Sequence, residues 1–459
     1  MKMFLGRVCL PAMLIAAASA FTPVKAQSGP SENPGILFQN VRIFDGSGSA
    51  LSGPSNVLVR GNVIERISAA ERTSRRSARQ ETAGVTVIDG NGRTLMPGLI
   101  DAHWHAMLIR PQPAEAIFGD VGFSNLVAAA EAHDTLMRGF TSVRDMGGPV
   151  WGLKQAIDRG IATGPRIYPS GAMITITSGH GDFRQQSELP RRPGILSRME
   201  MIGGSMIADS PDEVRMRARE QLMHGATQIK LTAGGGVSSP FSPIDASTFT
   251  EAELRAAVEA AENWGTYVSA HAFTSAAIRR SVDAGVKVIE HALLMDEPTA
   301  KLIAEKGLWL SLQPLPDGLR TGFPVGSIQR KKAELVWPGI ARAYELAKKY
   351  KIKVAWGTDI LFSQALAQQQ GAILASLTRW YTPSEALAMA TGENAQLLAL
   401  SGERNPYPGR LGVVEEGALA DLLLVDGDPV ANIQLIANPA KNFVVIMKDG
   451  KIFKNTLTN

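Results

Sequence analysis

Residues 94–105 read Thr94-Leu95-Met96-Pro97-Gly98-Leu99-Ile100-Asp101-Ala102-His103-Trp104-His105. An apolar run ending in two histidines one residue apart predicts a buried strand over 94–103 with both imidazoles at its C-terminal end. In extended backbone, residues two apart share a face, so His103 and His105 enter the same space and can share one cation. Similar short apolar runs recur at 141–145, 166–174, 228–232, 267–271, 288–291, 309–313 and 354–359. Helical stretches fit between them, for example 212–224, 251–264, 275–284 and 335–350, with Asp212 and Thr250 placed as capping or first-turn residues. Eight such units predict an α/β fold in which residues 94–400 form a (β/α)8 TIM barrel.

The flanks have a different texture. ILFQNVRIFDGSG, NVLVRGNVIERIS and VTVIDGNG before the barrel, and GRLGVVEEGALADLLLVDGDP and FVVIMKDGKIF after it, alternate β-rich runs with Asp-Gly, Gly-Asn and Asn-Gly turns. The two ends, 27–93 and 401–459, are expected to join in one small β-sandwich domain. The basic run ERTSRRSAR at 71–79 reads as a solvated loop. Ahead of all this, Lys2 and Arg7 precede an apolar run over 8–20 and two small-residue endings, the pattern of a secretory signal over 1–26. Cleavage is expected after Ala26, with Ala20 the alternative, placing the protein in the periplasm or outside the cell. The single cysteine, Cys9, lies in that segment, so no cysteine chemistry is expected in the remainder.

At 459 residues, 45% hydrophobic and 20% charged, the chain can bury a large core. Its net charge of +4 owes three units to Lys2, Arg7 and Lys25. The +1 that remains argues against a nucleic-acid partner, and no later stretch approaches the ~20 apolar residues of a membrane helix.

Seven histidines occur, and four of them (His103, His105, His271 and His291) stand at the C-terminal ends of expected strands, where barrel enzymes build their sites. A lone histidine is more often a satisfied core residue; the joint placement favours ligation. Lys230 lies between apolar neighbours on strand four. Facing inward, its ammonium would bear a large desolvation cost, and condensed with carbon dioxide it would become an anionic carbamate able to bridge two metals. Facing outward, it would snorkel between helices. Asp359 ends strand eight, where it can bind a metal and handle a proton, or cap a helix. The long stretch 175–211 contains Thr177-Ser178-Gly179-His180-Gly181-Asp182. His180 there either donates to a scissile carbonyl oxygen or substrate carboxylate, or orders the glycine turn. Tyr267 shares the parity of Ser269 and His271, so it lines the pocket or fills the core. Asp145 is expected to pair with Arg144 or to serve its turn, with support of a ligand as the other reading. His133 and His224 fall in helices without an assigned chemistry.

The stretch from Pro97 to His105, then Lys230, His271, His291 and Gly357-Thr358-Asp359, resembles in residue type and order the metal-binding set of the amidohydrolase superfamily. The likeness runs from the N-terminal β segment through Ala420-Asp421-Leu422. It is similar in particular to the secreted Xaa-Pro dipeptidase and imidazolonepropionase-like branch, which includes bacterial enzymes that hydrolyse the amide bond of ochratoxin A. This resemblance implies two divalent metal ions, with zinc expected and manganese, cobalt or iron also compatible. His103 and His105 would hold one with Asp359, His271 and His291 the other, and N6-carboxylated Lys230 would bridge them. It also implies a metal-bridging hydroxide attacking the amide carbonyl of an N-acyl amino acid or dipeptide, with Asp359 taking the proton and returning it to the leaving amine. A homo-oligomer follows from family habit. The alternatives are a mononuclear deaminase, which would carry a glutamate where this chain has Thr274, and a metal-free scaffold, which would have lost a ligand.

Overall fold

The computed structural model describes residues 35–48, 50–70, 84–192, 194–316, 318 and 322–457. The expected signal segment and the basic run at 71–79 lie outside them.

Chain order begins with five strands, β1 Gly35–Ile43, β2 Ser55–Arg60, β3 Val63–Ala69, β4 Val85–Asp89 and β5 Thr94–Pro97. Three more strands close the chain, β16 Leu422–Val425, β17 Phe443–Lys448 and β18 Lys451–Asn455. The two sets join in one eight-stranded mixed sheet in the order β18-β17-β16-β5-β1-β2-β3, with β4 beside β1. Alternate apolar residues from both ends, including Phe38, Val57, Leu95, Leu422, Leu424 and Val445, bury together there. The β17–β18 turn fits its residues: Asp449 and Gly450 both have positive φ, as a two-residue hairpin loop requires.

Between these ends lie β6 Leu99–Trp104, β7 Phe140–Asp145, β8 Arg166–Pro169, β9 Met173–Thr175, β10 Ser205–Ile207, β11 Ile229–Thr232, β12 Val268–Thr274, β13 Val288–Leu294, β14 Trp309–Leu312 and β15 Lys353–Trp356. All their ladders are parallel, in a three-stranded sheet β6-β7-β8 and a seven-stranded sheet β10-β9-β11-β12-β13-β14-β15. Helices such as Pro211–His224, Glu251–Glu262 and Ser275–Ala284 connect successive strands, and Thr250 closes a capping box with Glu253. At the start of Pro211–His224 the cap is Ser210, and Asp212 sits in the first turn.

Several boundaries differ from the sequence expectation. The single strand over 94–103 is two: β5 pairs with β1 and β16, and the chain crosses at Gly98 to β6 beside β7. A Cβ on Gly98 would stand 2.1 Å from Thr141 Oγ1, so only glycine allows that crossing. The strand over 166–174 is likewise two, in different sheets, broken where Gly171 takes φ +71°. β10 arises inside the long 175–211 stretch, which carried no strand expectation. The helix expected over 335–350 is divided into Ile328–Val336 and Gly339–Lys349, since Pro338 lacks the N–H a continuous helix needs.

The first and last strands of the parallel set meet directly. Asp359 N donates to His103 O at 2.8 Å, Thr358 Oγ1 donates to Asp101 at 2.7 Å, and Asn394 Nδ2 bridges the carbonyls of Ile100 and Trp356 at 2.7 and 2.8 Å. No described helix is long and apolar enough to cross a membrane.

Candidate metal and hydrolytic site

At that junction β6 delivers His103 and His105, and the turn after β15 delivers Asp359. Asp359 Oδ1 lies 3.4 Å from His103 Nε2 and 3.2 Å from His105 Nε2. His291, within β13, brings Nδ1 to 3.9 Å from Asp359 Oδ2. One ligand atom each of His103, His291 and Asp359 falls within 4.8 Å of the others. That group crosses the two expected ligand sets. His291 and Asp359 have φ of +74° and +52°, backbone that side chains rarely adopt and that concentrates at functional sites. Burial pushes the Asp359 carboxyl up, but the facing His103, His105 and His291 hold it below the usual carboxylate range.

The other expected residues border the same space. The His291 ring centroid is 5.0 Å from His103 and 4.6 Å from His271, and His180 lies 4.4 Å beyond His271. Lys230 is buried on β11, which selects the inward reading, and Nζ forms no hydrogen bond or ion pair with any described residue. Burial, then the Lys230 charge, pushes the His103 and His180 imidazoles down to about 4 and about 3. Burial likewise takes His291 to about 3 and His271 well below its ordinary value. These four rings are neutral at pH 7, the form that ligates. At His105 burial is outweighed by Asp359, so that ring is raised.

Every one of the four strand histidines is anchored through one nitrogen. His103 Nδ1 donates to Glu290 Oε2 at 2.7 Å, His105 Nδ1 to Gly147 O at 3.0 Å, His291 Nδ1 to Gln313 Oε1 at 2.7 Å and His271 Nε2 to Gly235 O at 2.9 Å. The acceptor places a proton on each anchored nitrogen; the opposite nitrogen of His103 then faces Asp359 as a ligand atom, while that of His105 is already shared with Asp359. This donor set, imidazoles with oriented lone pairs beside a carboxylate and a buried unpartnered amine, fits divalent metal.

Sequence reasoning missed the anchors. Glu290 is fully buried, with Arg144 Nη2 donating to Oε1 at 2.6 Å and Ser269 Oγ donating to the same oxygen. Arg144 also donates to Ala102 O at 2.6 Å, so it serves Glu290 and not Asp145, contrary to the expected pair. The Asp145 carboxylate instead accepts from Ala106 N at 2.7 Å and Gly147 N at 3.4 Å, which makes it the organiser of its turn. A signal was available: Glu290 and Arg144 are charged residues inside otherwise apolar strands.

Tyr267 packs with Ala102, Val288, Trp309 and Ala355 in the core, its hydroxyl 3.4 Å from Arg144 NH1, which is the core reading and not the pocket one. His180 Nδ1 meets Ser239 Oγ at 2.9 Å, leaving Nε2 without a described partner. Thr274 caps the helix Ser275–Ala284, a role unlike that of a proton-shuttling glutamate. His133 is exposed beside Asp134, and His224 stacks on Trp151, both away from the site.

Residues 94–453 match the amidohydrolase family. The chain belongs to that family. It is 30% identical over 382 residues to ochratoxinase of Aspergillus niger, a match covering 78% of this chain and 75% of that protein. A prolidase crystal structure complexed with N-methylphosphonate-L-proline superposes with a TM-score of 0.83 at 31% identity, covering 92% of this chain and all of the other. A Xaa-Pro dipeptidase structure with bound methionine in its active site superposes at 0.77 and 28% identity, with 92% and 100% coverage. Family membership supports hydrolytic chemistry on small molecules.

Proposed function

We propose that this chain is a binuclear metal-dependent hydrolase that cleaves the amide bond of an N-acyl amino acid or dipeptide-like substrate, ochratoxin A among them. The observation that carries the reading is the set of four buried histidines, each anchored through one ring nitrogen and grouped with Asp359 and Lys230. His103, His105 and Asp359 would hold one ion, His271 and His291 the other. Lys230, whose buried amine has no described partner, would bridge them after condensing with carbon dioxide to a carbamate, releasing one proton. When bound, such ions, zinc by preference, polarise a carbonyl and acidify water. Asp359 accepts the proton from the attacking water and returns it to the departing amine. His180, held at Nδ1, presents Nε2 to the carbonyl oxygen or to a substrate carboxylate.

The architecture proposed to carry this chemistry is one closed (β/α)8 barrel that starts at β6 and not at residue 94, with the three- and seven-stranded parallel sheets as its arcs. The β domain proposed to flank it is the eight-stranded sheet built from described strands of both chain ends. The proposed location is periplasmic or extracellular, after removal of residues 1–26.

The test is metal content measured beside turnover of N-acyl amino acids, Xaa-Pro dipeptides and ochratoxin A by the purified chain. About two ions per chain and hydrolysis of at least one substrate class are expected. A chain that takes up no metal and cleaves none of the three overturns the reading and returns the protein to a scaffold.

A further inference from the structure

The loop after β11 runs Gly234-Gly235-Gly236-Val237-Ser238-Ser239 and touches two histidines of the site. Its Gly235 carbonyl accepts from His271 Nε2 at 2.9 Å. The Ser239 hydroxyl lies 2.9 Å from His180 Nδ1 and accepts from Gly181 N at 2.9 Å. Gly236 is so close to His180 that a Cβ there would stand 2.0 Å from Nδ1. Three consecutive glycines give such a loop little stiffness of its own, because glycine has more backbone freedom to lose than any other residue.

What holds the loop comes from another part of the chain. Lys332, within the helix Ile328–Val336, donates from Nζ to the carbonyls of Gly236 at 3.3 Å, Ser239 at 2.7 Å and Ser242 at 2.6 Å. These three acceptors use all three protons of the ammonium. The residue is buried, and no described carboxylate forms an ion pair with it. A buried cation without a counter-ion carries a desolvation cost that an apolar side chain of equal length would avoid. The charge therefore serves the loop and not the packing of the helix.

We propose that Lys332 is a positioning residue for the hydrolytic site, clamping residues 236–242 so that the Gly235 carbonyl stays against His271 and the Ser239 hydroxyl against His180. The inference rests on the metal-hydrolase reading above, although its physical core, the clamp, does not require turnover. Because the His180 and His271 rings are 4.4 Å apart and both lean on this loop, its release loosens them together.

The decisive variant is Lys332→Met in the full, zinc-loaded chain, with Glu334→Ala on the exposed face of the same helix as control. In Lys332→Met, amide hydrogen exchange over 234–242 is expected to rise by about tenfold, since opening of this segment no longer breaks the clamp. Zinc retention against a chelator and kcat are expected to fall roughly 10- to 100-fold, with KM little changed, and Lys332→Arg to recover part of each loss. Glu334→Ala is expected to match the wild type in all four. Exchange and zinc retention within twofold of wild type in Lys332→Met overturn the proposal. A wild-type chain that hydrolyses none of the offered amides fails the functional reading instead, and the exchange measurement still decides the clamp. Should Lys332→Met not fold, Ser239→Ala takes its place. It is expected to lower kcat about tenfold with zinc retention unchanged, as loss of a single hydrogen-bonded support does, and an unchanged kcat rejects the link to His180.

Discussion

The site is held by two kinds of support, and they behave differently. Inside the parallel strands the supports are side chains: Glu290 anchors His103, Arg144 and Ser269 hold Glu290, Gln313 anchors His291, and Asp101 ties His103 N to Thr358. At the rim the supports are backbone: the carbonyls of Gly147 and Gly235 anchor His105 and His271. A buried charged network is held in place only while every member is paired, so removal of one leaves uncompensated charge in the interior. A loop carbonyl is satisfied by many geometries, and its failure moves a ring without opening the core.

The contrast predicts a ranking. Glu290→Ala strands the Arg144 guanidinium and frees His103, and should destabilise the protein by about 3–5 kcal/mol in equilibrium or thermal unfolding. A loss under ~1 kcal/mol would mean that the strand network is incidental. Asp101→Ala comes next. Its carboxylate accepts from His103 N and Thr358 N at 3.1 Å each, from Thr358 Oγ1 at 2.7 Å and from Gln370 Nε2 at 2.8 Å. Leaving these buried donors unmet should cost about 1–3 kcal/mol and lower metal retention as His103 and Asp359 drift apart.

On the rim, Gly236→Ala should displace the His180 ring, lowering kcat by about tenfold with a stability change of ~1 kcal/mol or less. Equal losses of stability for Gly236→Ala and Asp101→Ala would erase the distinction between the two supports.

The smallest effect comes from a carboxyl outside the candidate site. Burial, aided by Glu385, pushes the Glu393 carboxyl from its ordinary 4.5 up to about 7. The folded chain then binds more protons than the unfolded chain between those values, so this group's contribution to stability is complete below pH 4.5 and is lost as pH rises through 7. Glu393→Gln should therefore raise the melting temperature by about 1–2 °C above pH 8 and leave it unchanged near pH 4. The opposite slope would show that Glu393 is paired and not merely buried.

The same contrast explains what the sequence disclosed. His103, His105, Lys230, His271, His291 and Asp359 could be read because each ends or interrupts an apolar run; parity joined His103 to His105, whereas the direction of Lys230 was open and His291 enters beside Glu290 only through backbone of positive φ. Glu290 and Arg144 carried the same signal, a charge within an apolar strand, but their partners lie on other strands and the pairing is visible only in three dimensions. For Asp145 the sequence offers a pair with Arg144 or a turn role, and only the turn role is realised. The Gly147 and Gly235 carbonyls had no signal at all, because every residue has a carbonyl; the glycines marked a tight approach without naming what approached. In the fold, periodicity located the parallel strands, but the break at Gly98 was hidden. The residues on either side are equally apolar, and the close approach to Thr141 that leaves no room for a Cβ at Gly98 is visible only in three dimensions.

Asp359 is proposed both to join the metal-binding group and to move the proton. The direct test is metal content measured beside amide hydrolysis in Asp359→Asn, which keeps an oxygen at that position and removes the basic site. Near-full metal with kcat lowered about 10²–10⁴-fold, the usual scale of general acid–base assistance, is expected. Full metal with near-normal turnover would contradict it, leaving Asp359 a turn residue and the proton without a carrier.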